Sequence, residues 1–177
     1  MAETDGAPAR AAVSVTFRSD RGEPEFLLIR RAEREGDPWS GQVALPGGRW
    51  QREDQSLEDT ALRETHEETG LDIRASGRVI GALDELRPRS TLLPPIVVTP
   101  YVAHIAPSAP LVLSDEVAAA FWVPWARLLD PELDYETEVS ARGAIWRVPA
   151  FHLEGHVVWG LTERILRQLI TRVHEEP

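Results

Sequence analysis

Apolar and polar positions alternate through β-favouring residues over 12–18, and EFLLIR at 25–30 forms a second such run. Asp20-Arg21-Gly22 lies between them, so the pair predicts a β-hairpin. A Gly-, Pro- and charge-rich loop, GDPWSG, occupies 36–41, and a short apolar segment at 43–45 is ended by Pro46-Gly47-Gly48. The clearest helix follows, with Ser56 as N-cap, Asp59 in the capping-box position three residues on, and Gly70 as C-cap. Strand patterns at 78–83, 96–105 and 121–123 are separated by Pro94-Pro95 and Pro107. A short helix is predicted at 125–129, strands at 144–149 and 151–156, and a final helix at 161–173 on its Leu, Ile and Val spacing. Strands around one early helix, closed by a late one, imply a mixed α/β domain and not a parallel βαβ ladder.

Residues 1–10 have no periodicity and read as a flexible start, leaving 11–177 as a single domain. A chain of 177 residues, 42% hydrophobic, is long enough for one core and short for two. The formal charge of −10 argues against nucleic acid as a partner and requires a metal ion or a local basic pocket for any small anionic substrate. With no cysteine, disulfides, thiolate metal sites and cysteine nucleophiles are excluded. The start lacks a basic flank leading into an apolar core, and no apolar run approaches the ~20 residues of a membrane helix. A cytoplasmic protein without membrane contact is expected.

Candidate chemistry is concentrated on the helix at 56–70. At ~100° per residue, Glu64, Glu67 and Glu68 project within roughly 100° of arc on one face. Like charges at these spacings destabilise a helix by a few tenths of a kcal/mol per pair, and a divalent cation would offset that. The neighbouring face, Leu57, Ala61, Leu62, Thr65 and Thr69, is suited to a sheet, which puts the carboxylates at the border of the core. Oxygen donors without cysteine or ligand-spaced histidine favour Mg2+ or Mn2+ over zinc. The fragment ETHEE alone is more simply a solvated acidic face. The double glycine, the cap and the Arg63-Glu64 pair, taken together, turn the reading toward a metal site for phosphate chemistry.

These residues resemble the Nudix box: Gly, five residues, Glu, seven residues, then Arg-Glu-aliphatic-x-Glu-Glu-x-Gly-aliphatic. Residues 63–71, RETHEETGL, match the second half with Thr65 in the aliphatic place. In the first half Gly48 is followed after five residues by Asp54 in place of Glu, and eight residues then precede Arg63. That longer box, with Pro46-Gly47-Gly48 and TALRE at 60–64, is similar to the coenzyme A pyrophosphatase branch. Leu27-Leu28 and Arg31 resemble the strand entering the box, and Trp159-Gly160-Leu161-Thr162 the start of the family's last helix. The branch's usual residues are replaced at Ile29, Ala32, Leu45, Gln51 and in the loop GDPWSG.

The resemblance implies a Nudix α/β/α sandwich with a mixed sheet. It also implies Glu64, Glu67, Glu68 and the Gly48 carbonyl as ligands of Mg2+ or Mn2+, with Arg63 orienting the three glutamates. Glu64 or Glu67 acts as base on the attacking water, and family members differ on which. Asp54 partners Arg63 if the extra residue is looped out. A homodimer is common among relatives. The implied substrate is a small nucleotide diphosphate compound, first coenzyme A or an acyl derivative. ADP-ribose, another nucleoside diphosphate derivative or a nucleoside triphosphate is the alternative, and a non-catalytic nucleotide-binding regulator a further one. Such regulators commonly lose a box carboxylate, and all three are present here.

Other residues carry weaker signals. Arg31, with Arg30 and Arg34, suits phosphate contacts, against ordinary surface charge. Trp39 and Trp50 flank the box and suit stacking on an adenine, although a tryptophan is more often simply packed. Asp115-Glu116 offers a further ligand or a base, against a solvated acid pair. Trp122, Trp125, Trp146 and Trp159 read as core. The five histidines lack metal-ligand spacing.

Overall fold

The computed structural model describes residues 8–20, 22–37, 39–89, 94–141 and 143–175. Residues 1–7 of the expected flexible start, Arg21 of the expected turn and Pro38 of the GDPWSG loop lie outside them. Strands β1 (Ala9–Asp20) and β2 (Glu23–Arg31) form the expected hairpin, with Phe17 opposite Phe26. β1 takes in Ala9 and Arg10, which the sequence pattern assigned to the flexible start. The reason is long-range: Ala9 N–H donates to the Pro95 carbonyl, and Ala9 pairs with Ile96.

The hairpin anchors a seven-stranded mixed sheet. β3 (Val43–Ala44) adds to β2, and β4 (Gly47–Arg49) to β1. The box helix α1 (Leu57–Thr69) and a single turn α2 (Ile73–Ser76) precede β5 (Gly77–Ala82) and β6 (Ile96–Ile105). β6 runs parallel to β1, and β7 (Val117–Pro124) is antiparallel to β2. The order is β3-β2-β1-β6-β5, with β4 and β7 off that path. One edge of β1 therefore changes partner along its length: β2 takes 17–20 and β4 takes 11–13. That switch sets the double glycine beside the box helix.

A 3-10 turn (Trp125–Leu129) leads to a second, antiparallel sheet of β8 (Asp134–Ala141), β9 (Ala144–Leu153) and β10 (His156–Trp159), then α3 (Gly160–Glu175). Strand alternation divides the core. Phe26 and Leu28 of β2 join Val15, Phe151, Leu153 and Leu166 on the α3 side, while Leu27 joins Leu62, Leu71, Ile73, Ala103 and Ile105 on the α1 side. The four residues FLLI at 26–29 are thus continuously apolar because both faces of β2 are covered. This is an α/β fold with a mixed sheet between helices. Among the described residues, no helix is long and apolar enough to cross a membrane.

Two expectations fail in the second sheet. The strands expected at 144–149 and 151–156 are one strand, because Pro149 lies opposite Glu136 without ending the pairing, and the turn comes at Glu154-Gly155. β8 has no counterpart in the sequence reading, since DYETEVSA is half acidic or polar and its alternating Tyr135, Thr137 and Val139 are at most half-buried. The distal β8–β9 hairpin extends from the core, so Trp146 is 59% exposed and not a core residue. Trp122, Trp125 and Trp159 are half-buried. Phe151, at the buried end of the same strand, has the Arg167 guanidinium 4.8 Å from its ring centre. In urea unfolding, Phe151→Ala is expected to lose about 3–5 kcal/mol, while Trp146→Ala stays within about 0.5 kcal/mol of the wild type. Equal losses at both positions would contradict the protruding hairpin.

Candidate active site

α1 begins and ends where its caps require. The Ser56 hydroxyl accepts from Asp59 N–H at 3.0 Å, and Gly70, at φ 75°, donates its N–H to the His66 carbonyl at 2.8 Å. A side chain at Gly70 would be strained by that φ and would bring its Cβ to 2.8 Å from Val112 Cβ. The buried face is Thr60, Ala61, Leu62, Thr65, Glu68 and Thr69. Leu62 enters the α1-side core, while Thr65 meets β1 through a 2.6 Å hydrogen bond with the Ser14 hydroxyl. Thr65 also donates to the Ala61 carbonyl at 2.7 Å. A polar residue thus fills the aliphatic place of the box without an unsatisfied group.

This seating brings the carboxylates against β4. Gly47 N–H donates to Glu68 Oε2 at 2.9 Å. A Cβ on Gly48 would lie 2.6 Å from both carboxylate oxygens of Glu64, and one on Gly47 would run into the Ala12 carbonyl oxygen. Gly47 is therefore required by close approach of the β1 backbone, and Gly48 leaves the space that the Glu64 carboxylate occupies.

Arg63 lies across the mouth of this arrangement. Its Nε and Nη2 donate to Asp54 Oδ1 and Oδ2 at 2.8 and 2.9 Å. Its Nη1 donates to Glu64 Oε1 at 2.7 Å and Glu67 Oε2 at 3.2 Å, and Nη2 also reaches the Arg49 carbonyl. Asp54 is buried and accepts further from Gln51 N–H and the Thr60 hydroxyl. The Arg63 guanidinium, with these donors, holds its carboxyl far below the usual range in spite of burial.

The box glutamates differ in environment. Glu67 is largely open, with 56% of its side chain exposed. Burial pushes Glu64 up, against the lowering effect of Arg63. Glu68 is 3% exposed, and burial pushes it up to about 7, against the Gly47 hydrogen bond. All three line one cavity of about 400 Å³, together with Arg34 and the 114–116 turn. Among the described residues, no three His, Cys, Asp or Glu side chains are gathered into a ready metal cage. Glu64 and Glu67 turn to Arg63, and Glu68 to Gly47. The donor set nevertheless fits a hard divalent cation: three carboxylates face one cavity, and two of them carry charge that burial disfavours.

The residues expected to touch substrate are less gathered. Arg31 pairs with Asp37 at 3.0 Å and does not line the cavity, and its buried Nε has no hydrogen-bond partner. Trp39 and Trp50 are exposed and lie outside the lining. Trp39 N–H donates to Asp37 Oδ1, and Trp50 Nε1 to the Asp54 carbonyl. Asp115 and Glu116 do reach the cavity. Ser114, whose N–H donates to the Glu68 carbonyl at 3.1 Å, had no signal in the sequence, because only the tertiary fold returns it to α1.

The chain resembles known proteins in sequence and in fold. The NUDIX domain family model matches residues 8–142. A relative described as uncharacterized Nudix hydrolase NudL, from Yersinia pestis (strain Pestoides F), is 36% identical over 165 residues, covering 93% of this chain and 79% of the relative. A NudL from Yersinia pseudotuberculosis serotype O:1b (strain IP 31758) matches equally. Among solved structures, the NUDIX domain of Shewanella oneidensis NrtR, complexed with ADP ribose, has TM-score 0.64 at 20% identity, covering 94% of this chain and 89% of that one. RenU, a Nudix hydrolase from M. Smegmatis, has TM-score 0.63 at 18% identity, covering 96% and 88%. A family match over most of the chain, with the box helix seated on its double glycine, makes this protein a member of the Nudix family, a pyrophosphohydrolase of nucleotide-derived compounds.

Proposed function

We propose that this chain cleaves the diphosphate of coenzyme A or an acyl-coenzyme A, releasing an adenosine bisphosphate and a phosphopantetheine. Convergence of Glu64, Glu67 and Glu68 on one cavity carries the proposal of chemistry at this site. The longer box and TALRE at 60–64, similar to the coenzyme A pyrophosphatase branch, favour the substrate. ADP-ribose is the second reading. It is favoured by the fold shared with the ADP-ribose-bound NrtR domain and by the departures at Ile29, Ala32 and Leu45.

Nudix enzymes generally use divalent metals, and Glu64, Glu67, Glu68 and the Gly48 carbonyl would hold one here. The chemistry that Mg2+ or Mn2+ would supply there is screening of the diphosphate charge, a more acidic water and stabilisation of the leaving oxygen. Arg63, clamped by Asp54, positions Glu64 and Glu67. One of these two takes the proton as water oxygen bonds to phosphorus and the bridging P–O bond breaks, so two phosphate monoesters leave. Among the described residues, one guanidinium nitrogen of Arg31 has no partner, which supports a phosphate contact by exchange of its ion pair with Asp37. Trp39 and Trp50 are available for stacking on a base. A non-catalytic regulator is disfavoured because every box carboxylate is retained.

The test is a panel of coenzyme A, ADP-ribose, diadenosine polyphosphates and nucleoside triphosphates with Mg2+ and separately Mn2+, the products resolved by chromatography. Coenzyme A is expected to be cleaved fastest, with Glu67→Gln slower by at least ~100-fold. Preference for ADP-ribose would reject the branch, and silence across the panel would reject the enzyme. A second expectation concerns Glu68. Glu68→Gln keeps an acceptor for Gly47 N–H and removes a buried charge. In EDTA it should melt at or above the wild type, while turnover in Mg2+ falls about 10- to 100-fold. A melting temperature well below the wild type would mean that Glu68 is held for stability and not for a cation.

A further inference from the structure

Among the described residues, the cavity that holds the box glutamates is bordered by five carboxylates, those of Glu64, Glu67, Glu68, Asp115 and Glu116, and by one cation, Arg34. A diphosphate entering it meets more negative charge than one divalent ion offsets, so a second cation is needed at the phosphates. Arg63 is not free for this, because its Nε, Nη1 and Nη2 are already committed to Asp54, Glu64, Glu67 and the Arg49 carbonyl.

Arg34 is differently held. Its Nη1 lies 3.5 Å from Glu116 Oε1, with the side chains 52% and 55% exposed. A pair so long and open is held weakly, and a new partner displaces it easily. The root of the side chain is fixed: Arg34 N–H donates to the Ser40 hydroxyl at 2.7 Å, and its carbonyl accepts from Asp37 N–H at 3.3 Å. Ala32 N–H donates to the Glu116 carbonyl at 2.8 Å, tying the two segments together. A guanidinium on a fixed stem, weakly held at the rim, presents the planar fork that matches two phosphate oxygens.

We propose that Arg34 is the phosphate clamp of this cavity, resting on Glu116 in the free protein and exchanging that carboxylate for non-bridging oxygens of the substrate's diphosphate. The identity of the ligand rests on the diphosphate-hydrolase reading; the exchange of partners is a property of Arg34 and Glu116 themselves. The clamp contacts ground and transition states alike, so it acts mainly on KM.

The probe is α,β-methylene-ADP, which presents an uncleavable diphosphate, titrated calorimetrically into the full chain in Mg2+. Arg34→Ala is expected to bind it about tenfold more weakly, ~1.4 kcal/mol. Arg34→Lys should recover part of the loss, and Glu116→Gln should bind at least as tightly as the wild type. Mg2+ titrated alone should bind Arg34→Ala and wild type within about twofold of each other, which separates a clamp from a disturbed metal site. In turnover, KM should rise by the same factor as the binding constant, with kcat within about threefold. Unchanged analogue binding in Arg34→Ala, or an equal loss of Mg2+ affinity, overturns the clamp and leaves the hydrolase reading standing. Tenfold weaker binding by Glu116→Gln overturns the exchange. No binding by the wild type, together with no hydrolysis across the substrate panel, removes both readings.

Discussion

The fork between Arg63 and Asp54 is the contact on which the site's geometry depends. Asp54 is buried between the double-glycine strand and the first turn of the box helix, and it accepts from Arg63, Gln51 and Thr60 together. A carboxylate satisfied in this way is fixed in position, and so is the guanidinium it holds. Arg63 then has one nitrogen aimed at Glu64 and Glu67. Without that anchor, Glu64 and Glu67 would lose the guanidinium that orders them.

Holding this arrangement strains the fold elsewhere. Glu64 and Glu68 sit where the medium disfavours charge, Glu68 with a single backbone N–H for company. Only tight seating of α1 keeps them there. Leu62 in the core and Thr65 against Ser14 fix the rotation of the helix, and the two glycines, lacking a Cβ, let its acids come close against β4. Packing on one face of the helix thus supports unfavourable electrostatics on the other. That is the pattern expected where stability is spent on function.

What was legible in the sequence follows from the range over which each feature is determined. α1 was readable to its caps because Ser56, Asp59 and Gly70 act within one turn of themselves, and Glu64, Glu67 and Glu68 follow from helical spacing alone. The β1–β2 hairpin and β6 were readable from their apolar runs. β8 was not, because the alternation of Tyr135, Thr137 and Val139 with Asp134, Glu136, Glu138 and Ser140 carries few large apolar side chains and stays mostly exposed at the edge of a small sheet. Trp146 was misread because an apolar run signals burial only when something covers it, and the hairpin outruns its cover. The approach of Arg34 and the 114–116 turn to the box depends on the β2–β7 pairing, which brings Arg31 opposite Val117. No local signal encodes that meeting.

The longer box illustrates how local and distant constraints compensate. Between Asp54 and Arg63 the chain has one residue more than the family pattern, and Asp54 has one methylene less than the glutamate it replaces. An aspartate on an unaltered backbone would fall short of the arginine. Here the segment before α1 is folded back on itself: Trp50 Nε1 donates to the Asp54 carbonyl at 3.2 Å, and Asp54 N–H to the Gln51 carbonyl at 3.1 Å. This turn carries the Asp54 backbone inward, so the shorter side chain reaches both Nε and Nη2 of Arg63 with ordinary hydrogen-bond lengths. The shorter acid thus keeps both of its oxygens on the arginine that orders Glu64 and Glu67.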